Sequence, residues 1–185
     1  MTDVVPRSAD DLVAGLDEIR RSPADNGTVD LVVRRPAEDE REVLTTGELD
    51  VAEGLVGDTW KVRSSARTDD GSPHPDMQLN IMNSRVAALV AGDQSRWPLA
   101  GDQLYVDFDL SSNNLPPGTR LAIGDAVIEV TDQPHRGCVK FSARFGLDAL
   151  RFVNSPEGMA VNARGINAKV VVGGIIRPGD TIRKV

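Results

Sequence analysis

Gly124-Asp125-Ala126-Val127-Ile128-Glu129-Val130-Thr131 is the stretch whose reading decides the fold. Gly-Asp is turn chemistry, and the run behind it alternates in the manner of a strand with one buried face. The same device recurs. Gly57-Asp58 precedes Trp60-Lys61-Val62, Gly101-Asp102 precedes Leu104 to Leu110, and Gly179-Asp180 precedes Thr181 to Val185. The intervals are irregular, so the chain is no solenoid. Turns that repeatedly feed short strands predict a mainly β fold of α+β type, a barrel or sandwich with a few short helices.

Outward from this core, Ser8-Ala9-Asp10-Asp11 has the composition of a capped helix start, and Leu12, Leu16 and Ile19 follow at helical spacing. Pro23 and Asn26-Gly27 end that element. Thr28 to Arg34 predicts a strand with Val29, Leu31 and Val33 on one face, and Pro36 to Glu42 a charged loop. Residues 1–40 read as a helix and strand packed on a main domain spanning 41–185. Asn83-Ser84 can cap a helix from Arg85 to Ala91, closed by Gly92. Phe141, Phe145, Ala149, Leu150 and Val153 form a second helical stripe, which Gly146 interrupts; a loop followed by a helix from Leu147 to Val153 is expected. Phe141, Phe145 and Phe152 are read as core residues, since base stacking needs exposed rings on a basic surface.

A chain of 185 residues suits one domain with a substantial core. No stretch approaches the roughly 18 apolar residues of a membrane span. The start, Met1-Thr2-Asp3, lacks the basic and apolar regions of a secretory signal. The single cysteine, Cys138, precludes an internal disulfide, and a reducing, cytoplasmic setting is expected. The net charge of −7 argues against nucleic-acid binding. Charge is unevenly placed: residues 134–185 hold nine Lys/Arg against three Asp/Glu, a balance of +6, which leaves −13 for residues 1–133. A local anion site and a solvated basic face are both compatible with that count.

Cys138 lies in Pro134-His135-Arg136-Gly137-Cys138, just beyond the strand at 126–131. Strand ends commonly carry functional groups. His135, Arg136, Lys140 and Arg144 are close in sequence, and cations beside a thiol favour the thiolate, a ligand for soft metals and an acceptor of sulfur. A lone cysteine also serves as a small buried hydrophobe. The chemistry alone leaves these readings level. His135-x-x-Cys138 cannot complete a structural zinc site, which needs about four protein ligands. The other histidine, His74, stands between prolines in Gly71-Ser72-Pro73-His74-Pro75-Asp76 and reads as a loop residue. Phosphate-loop, dinucleotide and hydrolase-elbow motifs are absent. Arg164-Gly165-Ile166-Asn167-Ala168-Lys169 reads as a turn with two cations and an amide, leading into Val170-Val171-Val172. It can bind phosphate or simply open a strand.

Together these pieces resemble the MOSC family, named for the C-terminal domain of molybdenum-cofactor sulfurases. The resemblance runs through Gly101-Asp102-Gln103-Leu104, Asn114-Leu115-Pro116-Pro117-Gly118-Thr119 and Ile123-Gly124. It continues through the Cys138 segment, Lys140-Phe141, Arg144-Phe145-Gly146, Arg164-Gly165 to Lys169, and Ile176-Arg177-Pro178-Gly179-Asp180. With a weaker start at Gly54 it covers about residues 50–185. It implies a β-barrel of short strands with an open cleft. It also implies a molybdenum–pyranopterin (molybdopterin) cofactor with the Cys138 thiolate on the metal, as in relatives that reduce N-hydroxylated compounds. Cofactor contacts would then fall to His135, Arg136, Lys140, Arg144, Arg164, Asn167 and Lys169. Two alternatives accompany that reading: a carrier that holds persulfide sulfur on Cys138, and a cofactor- or partner-binding module without turnover.

The implied partners are a redox protein or a cysteine desulfurase, together with a small-molecule substrate. No pyridoxal-phosphate site or zinc is expected. One departure stands out: many bacterial relatives carry His-Gly-Gly followed by Ala-Val where this chain reads Gln78-Leu79-Asn80-Ile81-Met82-Asn83.

Overall fold

The alternation at 126–130 becomes one stave of a closed barrel. The computed structural model describes residues 5–185. It opens with α1 (Ala9–Ala14), α2 (Leu16–Arg20) and β1 (Gly27–Arg34), followed by the short strands β2 (Glu42–Leu44), β3 (Gly47–Asp50) and β4 (Gly54–Leu55). Then come β5 (Leu79–Asn83), α3 (Ser84–Ala91), β6 (Leu104–Asp107), β7 (Arg120–Ile123) and β8 (Ala126–Val130). The chain ends through α4 (Val139–Phe145), α5 (Leu147–Asn154), α6 (Pro156–Ala160), β9 (Ile166–Val172), β10 (Gly174–Ile176) and β11 (Thr181–Lys184).

Seven strands close on themselves in the order β11-β7-β8-β9-β5-β6-β1, and β1 returns to β11 through Gly27–Ile182 and Thr28–Thr181. Closure leaves no open edge among these staves. β2 extends β1 on the outside, and β10-β3-β4 form a second small sheet. The barrel's single parallel pair is β5–β6, bridged by α3 and a 3-10 turn at Gln94–Ala100, as parallel neighbours require a crossover. Thus β1, which precedes residue 41, is itself a stave, paired with both β6 and β11.

Two apolar clusters sit on the two sides of the barrel wall. Leu79, Ile81, Leu104, Val106, Ile128 and Val130 point inward, joined by Leu49, Leu55 and Ile176 of the small sheet. Met82 and Tyr105 point outward to a layer built from α1 to α5, including Leu12, Val86, Phe141, Phe145 and Phe152. Neighbouring residues in β5 and β6 therefore serve opposite cores, which is why Ile81-Met82 and Leu104-Tyr105-Val106 are apolar on both faces.

Three local expectations are corrected. Val29, Leu31 and Val33 do not share a face: Val29 and Val32 lie inside the barrel, Leu31 and Val33 outside. The cause is a bulge. The β1–β6 register shifts between Val29 and Leu31, leaving Asp30 unpaired, and an extra residue exchanges the faces. Trp60-Lys61-Val62 is a 3-10 turn and not a strand, because Asp58 caps it by accepting from the Trp60 amide at 2.9 Å. Residues 139–145 form a helix, α4, where a loop was expected; Gly146, at φ 94°, joins it to α5.

Candidate functional site

The chain leaves β8 and crosses the barrel rim at residues 131–138. Thr131 N donates to Asn167 O at 3.0 Å, holding the start of this crossing to β9. Its end is held by Asn154 on α5. Gly137 N donates to Asn154 Oδ1 at 3.0 Å, and Asn154 Nδ2 donates back to Gly137 O at 3.2 Å. A Cβ at Gly137 would stand 2.8 Å from both Leu150 Cδ1 and Val153 Cγ2, so only glycine lets the backbone lie this close to α5. Cys138 follows as the residue before α4, a free and exposed thiol. The reading of Cys138 as a small buried hydrophobe is therefore excluded.

Cys138 lines a cleft of about 540 Å³, large enough for a cofactor-sized ligand. The end of the 3-10 turn, Ala100 and Gly101, lines the same cleft, and arginines pin it. Four successive carbonyls each accept from a different guanidinium. Pro98 O takes Arg41 Nε at 3.1 Å, Leu99 O takes Arg144 Nη1 at 2.7 Å, Ala100 O takes Arg164 Nη2 at 2.9 Å, and Gly101 O takes Arg35 Nη1 at 2.9 Å. The last carbonyls of a helical turn commonly lack partners within it; here Pro98 O also accepts from the Gly101 amide at 3.1 Å, and arginine side chains serve all four carbonyls.

Two of these arginines are neutralised in the interior. Arg35 makes a two-pronged pair with Asp58 at 2.8 and 2.9 Å, and Arg164 Nη1 meets both oxygens of Asp102 at 2.7 and 3.0 Å. Both carboxylates are at 0% side-chain exposure. Asp58 and Asp102 each follow a glycine at positive φ, Gly57 at 80° and Gly101 at 92°. Two of the Gly-Asp pairs are thus more than turns: they plant buried counter-ions for cleft arginines. Arg144 instead pairs at the rim with Asp39 (2.9 Å), and Lys140 with Glu38 (3.2 Å). Arg41 pairs with no carboxylate among the described residues. Burial lowers its pKa from the ordinary value, and the like charges of Arg144 and Arg35 lower it further.

His135 also lines the cleft, with Nδ1 3.6 Å from Asp102 Oδ1 and its side chain 13% exposed. Burial holds its pKa well below the usual range, with Arg164, Arg35 and Arg67 acting in the same direction. Burial thus favours the neutral ring, and 3.6 Å is beyond a hydrogen bond. Its Nδ1 and the Nε of Arg164 are buried polar atoms without a protein partner. Arg164 also lies over the Phe141 ring, 5.1 Å from the centroid.

Of the residues expected at a site, Cys138, His135, Lys140, Arg144 and Arg164 come together in this cleft. Asn167 stands behind it and accepts from Asn80 Nδ2 at 2.7 Å; Asn80 itself lines the cleft. Arg136 turns away to Met159, and Lys169 pairs with Asp76 and Glu129 elsewhere on the barrel. Lys169 sits within β9, so the stretch from Ile166 onward is strand and not turn. Sequence reasoning missed Arg35, Arg41, Arg63 and Asn80, which enter the cleft from outside the basic C-terminal segment. Only Asn80 lay in a stretch already singled out, the departure at 78–83.

No curated protein matches the sequence. Among solved structures, the fold resembles the YuaD protein of Bacillus subtilis, with a TM-score of 0.60, 18% identity, and coverage of 85% of this chain and 94% of that one. YiiM of Escherichia coli aligns with a TM-score of 0.55 and 18% identity, over 85% of this chain and 69% of that one. At such identities the likeness establishes the fold alone. The family model for the MOSC domain matches residues 78–183, which takes in β5 through β11 and the cysteine crossing. With more than half of its length so matched, this chain belongs to the MOSC domain family.

Proposed function

We propose that the cleft binds a molybdenum–pyranopterin, with Cys138 Sγ as the protein's ligand to the metal, and that the protein is an oxidoreductase for N-hydroxylated compounds. One observation carries this reading: an exposed thiol lines a cleft that five arginines also line. The donor set fits such a group. Among the described residues no three His, Cys, Asp or Glu side chains cluster as a metal site, so Cys138 would be the one protein donor and the cofactor's own sulfurs would supply the others. Arg164 and His135 line the cleft and can offer their exposed atoms to a bound molecule.

When bound, the cofactor would supply two-electron redox chemistry. The chain's residues would do the rest. Asn154 and Gly137 hold the Cys138 backbone in place; Asp102 keeps Arg164 at the wall; the neutral His135 can exchange a hydrogen bond without adding charge. Electrons would come from a redox partner, and a reducing, cytoplasmic setting would keep Cys138 free. Among the described residues no helix is long and apolar enough to cross a membrane. Protein expressed in a host that makes the cofactor should carry about one molybdenum per chain, and C138S should carry none. Metal-free protein with Cys138 still reduced would refute the proposal.

The exposure of Cys138 favours one other reading, persulfide sulfur carriage, because a donor enzyme could reach the thiol directly. Incubation with a cysteine desulfurase and its substrate should then add one sulfur atom to the chain and none to C138S. Equal gain by both would exclude it.

A further inference from the structure

Arg35 reaches two parts of the cleft lining at once. Its Nη1 donates to Gly101 O at 2.9 Å, at the end of the 3-10 turn, and to Asn80 Oδ1 at 3.1 Å. Asn80 Nδ2 then donates to Asn167 Oδ1 at 2.7 Å. Asn167 Nδ2 donates in turn to Gln133 O at 3.1 Å, within the crossing that carries His135 and Cys138. Asn80 and Asn167 are direct partners in the antiparallel pair β5–β9, so the sheet itself sets them side by side. The main chain of each is also held. Asn80 N donates to Gln103 Oε1 at 2.8 Å, Asn80 O accepts from the Gln103 amide at 3.0 Å, and Asn167 O accepts from the Thr131 amide at 3.0 Å.

This chain of bonds has one direction. A guanidinium only donates, so Asn80 must present its oxygen to Arg35 and its nitrogen to Asn167. A carbonyl only accepts, so Asn167 must present its nitrogen to Gln133 O. Asp58 fixes Arg35 with two hydrogen bonds, and Asn167 is fully buried, so neither end can turn over.

We infer that Asn80 is a positioning residue. Through Asn167 it relays the donor-only character of Arg35 to the Gln133 carbonyl, and it fixes where the cysteine crossing lies relative to the 3-10 turn. Asn154 holds the end of that crossing at Gly137; the relay holds its start. The role rests on reading Cys138 as the working thiol of the cleft, but the relay itself involves neither molybdenum nor a bound ligand.

Two substitutions at one position separate a directional relay from simple filling of space. N80D keeps the shape and still accepts from Arg35, but turns an oxygen towards Asn167 Oδ1; if Asn167 turns over, its oxygen meets Gln133 O instead. N80A removes the side chain and leaves Asn167 able to keep its bond to Gln133 O. In the full chain, backbone amides at 131–138 should exchange about tenfold faster in N80D, as for a lost buried hydrogen bond, and no more than about threefold faster in N80A. The limiting rate of Cys138 alkylation by iodoacetamide at high pH should change in N80D and hold in N80A. In the unchanged protein, which needs no variant to fold, the side-chain amide of Asn167 should exchange far more slowly than that of an exposed asparagine.

An unprotected Asn167 side chain, or a crossing no faster in N80D than in N80A, would overturn the inference. So would a shift in the pH midpoint of alkylation without any change in the limiting rate, since charge alone would then explain N80D. A protein that takes up no molybdenum but keeps these protections counts against the cofactor reading alone.

Discussion

Asp102 and Arg164, 62 residues apart, meet as a buried two-pronged ion pair at the wall of the cleft. Asp102 begins the approach to β6, and Arg164 stands just before β9, so the pair ties together two barrel strands on either side of β5. Burial raises the Asp102 pKa and Arg164 opposes it. Removing one partner strands a charge in the interior. D102N is expected to lower stability by about 3–5 kcal/mol, the usual cost of breaking such a pair. Urea denaturation checks this; a midpoint within error of the unchanged protein would mean that Arg164 finds another partner.

Acid should unfold the protein through His135. Its folded pKa lies well below 6.5, chiefly because the ring is buried. The unfolded chain therefore binds a proton between the two values and the folded chain does not. Stability rises with pH across that window and is lost as pH falls from about 6.5 towards the folded value. Thermal melts between pH 7.5 and 5 should show the midpoint falling, and H135Q should flatten that fall. An equal slope in H135Q would place the acid sensitivity elsewhere.

Gly165 should tolerate no side chain. It is held at φ 104°, and a Cβ there would run into the carbonyl oxygen of Ile81 on β5 and stand 3.3 Å from His135 Nδ1. Strain and overpacking each cost about 1–3 kcal/mol. G165A is therefore expected to lose a few kcal/mol in chemical denaturation, whereas G118A, with positive φ but open space around it, should lose less.

The Asn154 clamp should govern where Cys138 sits more than whether the chain folds. N154A leaves two peptide groups of Gly137 without partners, at a cost of about 1–3 kcal/mol. The rate of Cys138 alkylation by iodoacetamide should change in N154A. C138S, a substitution at an exposed position, should alter stability by no more than about 0.5 kcal/mol. Destabilisation of C138S by several kcal/mol would show that the thiol is structural after all.

What local chemistry can encode, the sequence displayed. Strand alternation at 126–130, the Ser8 and Asn83 caps and the helix that follows Gly146 from Leu147 depend on neighbours a few residues away, and each element formed. Cys138 stood out for similar reasons, beside a strand end and among cations. The bulge at Asp30 was not legible, because a register shift is decided by the partner strand β6 and leaves the alternation of β1 looking intact.

The cleft itself belongs to the tertiary structure. Arg35, Arg41, Arg144 and Arg164 are spread along the chain, and nothing in their local surroundings announces that they bind four consecutive carbonyls. Gly101-Asp102 and Gly124-Asp125 look alike as dipeptides. Only closure of the barrel buries Asp102 beside Arg164 and leaves Asp125 at a surface turn. Burial is a property of what surrounds a residue, and a carboxylate becomes a counter-ion only when the fold removes water and brings a cation within reach.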